Sequence, residues 1–196
     1  MHRAGQMREP GEKLPVVVNL SYGPHEGPHD GTDPFEVFAD LMITYFGPAH
    51  STPLTVVLAA GNSRQGKVHV QAHVESGASK VLPWRIQPGG RTESMLQLWL
   101  NKGARATVTL RSPSGATVSI KPPQSNVEYP ASPADTFGAK YSLVNGRPCF
   151  TLYINPTEFN PGGGGVQLIA ESGLWKVDVH NDGPKAIDLQ GWIRRS

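Results

Sequence analysis

The pattern of apolar and polar residues changes character about one third of the way along the chain. In the first third, unbroken apolar runs at Val16–Val18 and Val56–Ala60 are typical of strands that are buried on both faces. Between these runs, apolar residues recur at helical spacing: Phe35, Phe38, Leu41, Met42 and Tyr45. Asp33, Pro34 and Glu36 form a helix-start signal, with an N-cap, a first-turn proline and a capping-box glutamate. Strand, helix and strand in this order predict a βαβ unit with a parallel sheet.

After about Arg64 the pattern becomes one of short alternating runs. These runs are separated by clusters of Gly, Pro, Asn and Asp, and they read KVHVQAHVE, ESMLQLWL, RATVTLRSPSGATVSI, CFTLYI, VQLIAE, LWKVDVHN and AIDLQGWIRR. Period-two alternation in many short segments predicts an antiparallel β-sandwich, jelly-roll-like. We therefore expect a disordered lead-in over residues 1–13, a partial α/β domain over 14–66 and a β-sandwich domain over 67–196.

Composition and charge limit the kinds of partner and binding site that the chain can have. The chain has 196 residues and a net charge of +2, without a basic run, so we expect no nucleic acid partner. No apolar run approaches the roughly 18 residues of a membrane span, so we expect no membrane partner. Cys149 is the only cysteine, which excludes an internal disulfide and a cysteine-based zinc site. The polar first residues lack the apolar stretch of a signal peptide, and localisation stays open, a secreted parent protein included.

Small residues and one asparagine end the two predicted parallel strands. The first strand runs into Ser21, Tyr22 and Gly23, and the second into Ala59, Ala60, Gly61 and Asn62. Ligands of parallel α/β sheets bind at the carboxyl ends of the strands, so these residues predict a slot at that edge. A fixed amide donor in such a slot suits stabilisation of a developing oxyanion.

The segments VVVNLSYGP and VVLAAGNS, about forty residues apart with a helix between them, resemble the subtilisin-like serine proteases, or subtilases. The resemblance implies that Asn62 is the catalytic oxyanion-hole donor. It also implies two sets of substrate-binding residues: Ser21, Tyr22 and Gly23 as the edge that pairs with a polypeptide substrate, and Ala59, Ala60 and Gly61 as the wall of the primary specificity pocket. The segments WRIQPGGRTESMLQLWL and GLWKVDVHNDG resemble the β-sandwich that some bacterial subtilases insert after the asparagine strand.

The family's motifs for the catalytic Asp, His and Ser are missing from this sequence. A serine protease needs its nucleophile and base within hydrogen-bond reach. We therefore expect an internal part of a subtilisin-like endopeptidase, acting on polypeptide without cofactor or metal and inactive by itself. The alternative is a non-enzymatic β-sandwich module that binds glycan or polypeptide.

Several residues also have ordinary structural interpretations. Asn62 could be a plain turn residue after a strand. The loop residues His25, His29, Asp30 and Asp33 could suggest a metal site, but the histidine spacing does not lie on a helix, and a solvent-exposed loop is the favoured interpretation. The four tryptophans are expected in the sandwich core: Trp84, Trp99, Trp175 and Trp192.

Overall fold

A computed structural model of the chain describes residues 15–21, 23, 25–46, 54–61, 64–122, 127–129, 136–159, 162 and 169–194. The chain divides into two compact units, Met1–Gly66 and Lys67–Ser196. The lead-in predicted over residues 1–13 lies outside the described residues. In the part of the chain that is described, no helix is long and apolar enough to cross a membrane.

The first unit contains the predicted strand–helix–strand sequence. Strand β1 (Val16–Leu20) is followed by helix α1 (Pro34–Phe46), strand β2 (Leu54–Leu58) and a short 3-10 helix (Arg64–Gly66). Strands β1 and β2 pair in parallel, from Val16 opposite Leu54 to Leu20 opposite Leu58. The parallel pairing was predicted from the intervening helix, since parallel neighbours need such a crossover.

The predicted capping box begins helix α1. The Oδ1 atom of Asp33 accepts a hydrogen bond from the Phe35 amide at 2.8 Å. The Oε2 atom of Glu36 accepts one from the Asp33 amide at 3.2 Å. Together these bonds satisfy amide groups that a helix start leaves without intrahelical partners, so the helix begins where the sequence predicted.

The prediction that β1 and β2 are buried on both faces is wrong for this unit. Val17 is 65% exposed and Val57 is 45% exposed, and none of the side chains of α1 is buried. Two strands and one helix provide too few layers to cover both faces of the sheet. These elements therefore carry more apolar surface than the described part of the unit can bury.

The described part of the second unit contains ten strands. They are β3 (His69–Val74), β4 (Ser79–Ile86), β5 (Ser94–Leu100), β6 (Ala106–Arg111), β7 (Thr117–Ile120), β8 (Val127–Tyr129), β9 (Phe137–Val144), β10 (Arg147–Ile154), β11 (Gly173–Asn181) and β12 (Ile187–Arg194). One sheet has the order β3-β12-β5-β10-β9-β8 and the other the order β4-β11-β6-β7. All of these pairings are antiparallel, as the alternating pattern predicted.

Residues from both sheets form one hydrophobic core. Leu98 of the six-stranded sheet and Val177 of the four-stranded sheet are both completely buried in it. The Trp175 ring lies edge-on to Phe137, with the ring centroids 4.8 Å apart. Because strands of both sheets give alternate residues to this core, the arrangement is sandwich-like.

Two of the four tryptophans follow the core prediction. Trp84 and Trp175 belong to the core cluster. Trp99 is buried outside that cluster, where the Arg147 guanidinium lies 5.6 Å from its ring centroid. Trp192 is half-buried, and its ring stacks on His69 at 5.0 Å. The core prediction is therefore wrong for Trp192, which lies on the outward side of a strand.

Two long strands, β4 and β9, were not predicted. Pro83 interrupts the β4 pattern, because proline lacks the amide that a central strand needs. The four-stranded sheet accommodates Pro83 because β4 is its edge strand. Conversely, the predicted strand VQLIAE is not observed at residues 169–171, and its first three residues lie outside the described part of the chain.

Candidate functional site

The carboxyl ends of β1 and β2 border a cleft of about 270 Å³. It is lined by residues of the end of β2, of the loop after β1 and of the start of α1: Gly23, Glu26, Gly27, His29, Asp33, Phe35, Glu36, Leu58 and Ala59. Gly23 and Ala59 were predicted on opposite sides of a substrate slot, and both line this cleft. Parallel pairing brings these ends together because both strands run in the same direction.

Gly61 shows why the second strand ends on a glycine. Its φ angle is +86°, a left-handed conformation that residues with a Cβ rarely adopt. No atom lies within 4 Å of the position that a Cβ would occupy there. The requirement for glycine therefore comes from the backbone conformation and not from crowding.

The other predicted site residues are described in part. The Ser21 hydroxyl accepts a hydrogen bond from Nδ2 of Asn19 at 3.3 Å, and Ser21 is exposed. Ala59 and Ala60 are also exposed at the end of β2. Tyr22 and Asn62 lie outside the described residues, so the roles assigned to both stay predictions.

The loop between β1 and α1 is held by its own carboxylates. Asp30 accepts hydrogen bonds from the Thr32 amide at 3.2 Å and the Thr32 hydroxyl at 2.6 Å. Glu36 accepts a bond from the Gly31 amide at 3.0 Å as well as its capping bond. Nε2 of His29 lies 2.9 Å from the carbonyl oxygen of His25. No metal-binding group of three His, Cys, Asp or Glu side chains occurs among the described residues.

The sequence interpretation missed part of the lining of the cleft. Phe35 and Leu58 provide apolar walls, while Glu26, Asp33 and Glu36 place carboxylates around it. The sequence indicated Asp33 and Glu36 only as helix caps. Asp33 and Glu36 also line the cleft because α1 begins near the strand ends. A local sequence pattern does not show where a helix lies relative to distant strands.

A serine, a histidine and an aspartate come together on the four-stranded sheet, but without the geometry of a catalytic triad. Ser79 Oγ lies 2.9 Å from Nδ1 of His180, its partner across β4 and β11. Nε2 of His180 lies 3.7 Å from Oδ1 of Asp182, beyond the roughly 2.6–3.2 Å of a hydrogen bond. Asp182 instead accepts a bond from the Thr107 hydroxyl at 2.7 Å and lies 3.6 Å from the Lys121 ammonium. We interpret these contacts as structural.

The buried thiol of Cys149 is also a poor nucleophile. The side chain is 3% exposed, and burial raises the pKa of the thiol to about 12. Only the thiolate is strongly nucleophilic, and very little forms near neutral pH at such a pKa. Cys149 therefore behaves as a small apolar residue of strand β10.

Comparison with known proteins shows a similarity of fold. No family model matches the chain, and no curated protein matches it. Among solved structures, it is similar to the CspB protease of Clostridium perfringens, with a TM-score of 0.68 and 18% sequence identity. The match covers 92% of this chain and 35% of that protease, so the chain spans about a third of the protease's length. AlgX of Pseudomonas aeruginosa matches over 82% of this chain and 38% of its own, at 12% identity and a TM-score of 0.35, too low to support an argument.

The similarity to the CspB protease extends over nearly the whole chain and therefore concerns its fold as a whole. At 18% identity it does not by itself transfer an activity or a set of site residues. The chain thus has a fold similar to that of part of the CspB protease.

Proposed function

We propose that this chain is part of a subtilisin-like serine endopeptidase and contributes the oxyanion donor and the substrate-binding edge. The observation that carries this proposal is the cleft at the parallel strand ends, which Gly23 and Ala59 both line. In the proposed site, Ser21, Tyr22 and Gly23 pair with the backbone of a polypeptide substrate. Ala59, Ala60 and Gly61 form the wall of the pocket for the side chain before the scissile bond.

In the proposed reaction, a serine hydroxyl attacks the peptide carbonyl and an acyl-serine intermediate forms. Asn62 donates its amide to the oxyanion of the tetrahedral intermediate. The nucleophile and its base come from a part of the enzyme that this sequence does not contain. An oxyanion donor alone gives no turnover, so we expect the isolated chain to be inactive.

The unburied apolar surface of the first unit supports the proposal. Phe38 and Leu41 of α1 are 57% and 62% exposed. Large apolar residues concentrated on one small unit are typical of surfaces that another part of a protein covers. In the proposed enzyme, the remaining layers of the catalytic domain cover α1 and the pair β1–β2.

The strand order of the second unit supports its assignment as a jelly-roll. Strands β3, β12, β5 and β10 lie together in one sheet, and β4, β11, β6 and β7 form the other. The chain thus passes from one sheet to the other between β3 and β4, β4 and β5, β5 and β6, β7 and β8, β10 and β11, and β11 and β12, as in a double Greek key. We propose that this jelly-roll is an insertion that follows the asparagine strand.

Two experiments test the function. The purified chain should neither hydrolyse a peptide substrate nor react with a fluorophosphonate probe, and labelling of Ser79 or another serine would contradict the assignment.

In a full-length protein that contains this chain, Asn62→Ala should lower kcat by about 10²–10³, the loss seen when subtilisin loses its oxyanion asparagine. Ser79→Ala is the matched control and should leave kcat unchanged. An unchanged kcat in Asn62→Ala would refute the role of the asparagine.

A second candidate function is glycan binding by the sandwich. It is favoured by the outer face of the six-stranded sheet, where Trp192 stacks on His69 and Nε2 of His69 lies 2.6 Å from Oε1 of Gln190. Aromatic faces beside amide groups suit sugar rings, which have apolar faces and hydroxyl rims. Titration of the chain with soluble oligosaccharides tests this candidate. Saturable binding that Trp192→Ala abolishes would favour it, and binding to none would exclude this face as a glycan site.

A further inference from the structure

A second cleft lies in the sandwich, between two loops at one end of its strands. Its volume is about 440 Å³. One wall is the β5–β6 loop and the other is the β11–β12 loop, and the lining comprises Asn101, Lys102, Gly103, Ala104, Arg105, Gly183, Pro184, Lys185 and Ala186. This cleft belongs entirely to the second unit and shares no residue with the cleft at the strand ends of the first unit.

The charged residues that line this cleft are all basic. Lys102, Arg105 and Lys185 line it without any acidic residue, and none of the three forms an ion pair with a described residue. The two carboxylates that flank residues 183–186 in the sequence are engaged elsewhere. Asp182 contacts Thr107 and Lys121, as described above, and Asp188 lies 2.6 Å from Nδ1 of His73. Three cations around one concave space raise the local potential far above that of a chain whose net charge is only +2.

A buried asparagine holds the loop that carries Lys185. Asn181 is fully buried, and its Nδ2 donates to the carbonyl oxygens of Val74 at 3.0 Å and Lys185 at 2.9 Å. Its Oδ1 accepts a bond from the Gly183 amide at 2.8 Å. The β11–β12 wall is therefore fixed before any ligand binds, which lowers the entropic cost of binding.

The opposite wall is fixed as well. The amide of Asn101 donates to the Asp188 carbonyl, and Oδ1 of Asn101 accepts from the Asp188 amide, both at 3.2 Å. The Gly103 amide donates to the Gly146 carbonyl at 3.1 Å. A Cβ on Gly146 would lie 2.8 Å from Cε of Lys102, so the lysine stem runs closely over this glycine.

We propose that this cleft binds a small multivalent oxyanion, one whose two or more negative charges lie on a single compact molecule. Three cations that pair with no described acidic residue, on two fixed loops, match such a ligand in charge, whereas a monovalent anion would leave two of them unneutralised. The proposal does not depend on the protease assignment, because it rests on the second unit alone.

Calorimetric titration of the whole chain with sodium tripolyphosphate, and separately with citrate, tests the proposal. We expect saturable binding at low ionic strength that weakens as sodium chloride is added. Preference for tripolyphosphate would identify the source as a phosphate compound, and preference for citrate as a polycarboxylate. Each substitution Lys102→Ala, Arg105→Ala or Lys185→Ala should weaken binding about 5- to 10-fold, and the triple variant should abolish it.

The control is Lys176→Ala, which removes the same charge from an exposed position of β11 that is not in the cleft. We expect this variant to bind the anion as tightly as the native chain does. Absence of binding to both anions at about 10 mM, roughly the weak limit of a specific site, would overturn the proposal. Equal weakening by Lys176→Ala and Lys185→Ala would also overturn it, because the effect would then reflect net charge alone.

Discussion

Replacing Asn181 by alanine should strongly destabilise the sandwich. The asparagine side chain is fully buried at the end of β11 and makes three hydrogen bonds to backbone groups. Alanine removes the amide group and fills none of its space. The Val74 carbonyl and the Gly183 amide then lose partners in buried surroundings.

The size of the effect follows from which of the three bonds water can replace. Lys185 is exposed, so its carbonyl oxygen can be hydrated in the variant at little cost. The bonds to Val74 and Gly183 are buried, and each unsatisfied group costs about 1–3 kcal/mol. We therefore expect the free energy of unfolding to fall by about 2–6 kcal/mol. The corresponding fall in melting temperature is roughly 5–25 °C for a chain of this size.

Urea denaturation, followed by tryptophan fluorescence, measures this change because Trp84 and Trp175 lie in the core. Gln71→Ala, at an exposed position of β3, is the control and should change the free energy by less than about 0.5 kcal/mol. Asn181→Asp has nearly the native shape but lacks the two donors, so it should lose at least as much stability as Asn181→Ala at pH 7. A loss below about 0.5 kcal/mol in both variants of Asn181 would refute the reasoning.

Three further predictions concern other described residues. The pKa of His73 should exceed its ordinary value of about 6.5 in an NMR titration, chiefly because of its hydrogen bond to Asp188, and Asp188→Asn should lower it. The stability that His73 contributes should be complete below about pH 6.5 and disappear as the pH rises through its raised pKa; a native pKa at or below 6.5 would contradict this. Gly191→Ala should cost about 1–3 kcal/mol in thermal denaturation, because its Cβ would lie 2.7 Å from side-chain carbons of Leu98 and Val70, and Val70→Ala in the same chain should restore part of the loss. Cys149 should resist iodoacetamide at pH 8 in the folded chain and react in urea, since burial raises its pKa to about 12; rapid labelling of the folded chain would disprove its burial.

Local sequence signals predicted the elements whose causes are local. The helix start at Asp33 could be predicted because the residues that satisfy its amides lie within three positions of one another. The alternating strands of the second unit could be predicted because side chains alternate between the two faces of any strand. The glycine at position 61 marked the end of β2, and its φ of +86° is the conformation for which glycine is needed.

Features that depend on distant parts of the chain could not be predicted in the same way. β4 was missed because Pro83 is acceptable only at a sheet edge, and the sequence does not show which strand lies there. The exposure of Val17 and Val57 depends on which layers cover the sheet and not on the strands themselves. Asn181 looks like an ordinary polar residue at a strand end, although the two loops beside it make it a buried hydrogen-bonding centre.

The edge position of Pro83 has a consequence for association between molecules. An unprotected edge strand can recruit a strand from another copy and begin a growing intermolecular sheet. Proline removes one of the amide donors that such recruitment needs, so β4 is a poor template for fibril growth. The β-branched strands β1 and β2 carry no proline, and Val17 and Val57 are exposed on them. Aggregation of the isolated chain should therefore begin in the first unit, and lysine in place of Val17 or Val57 should delay it.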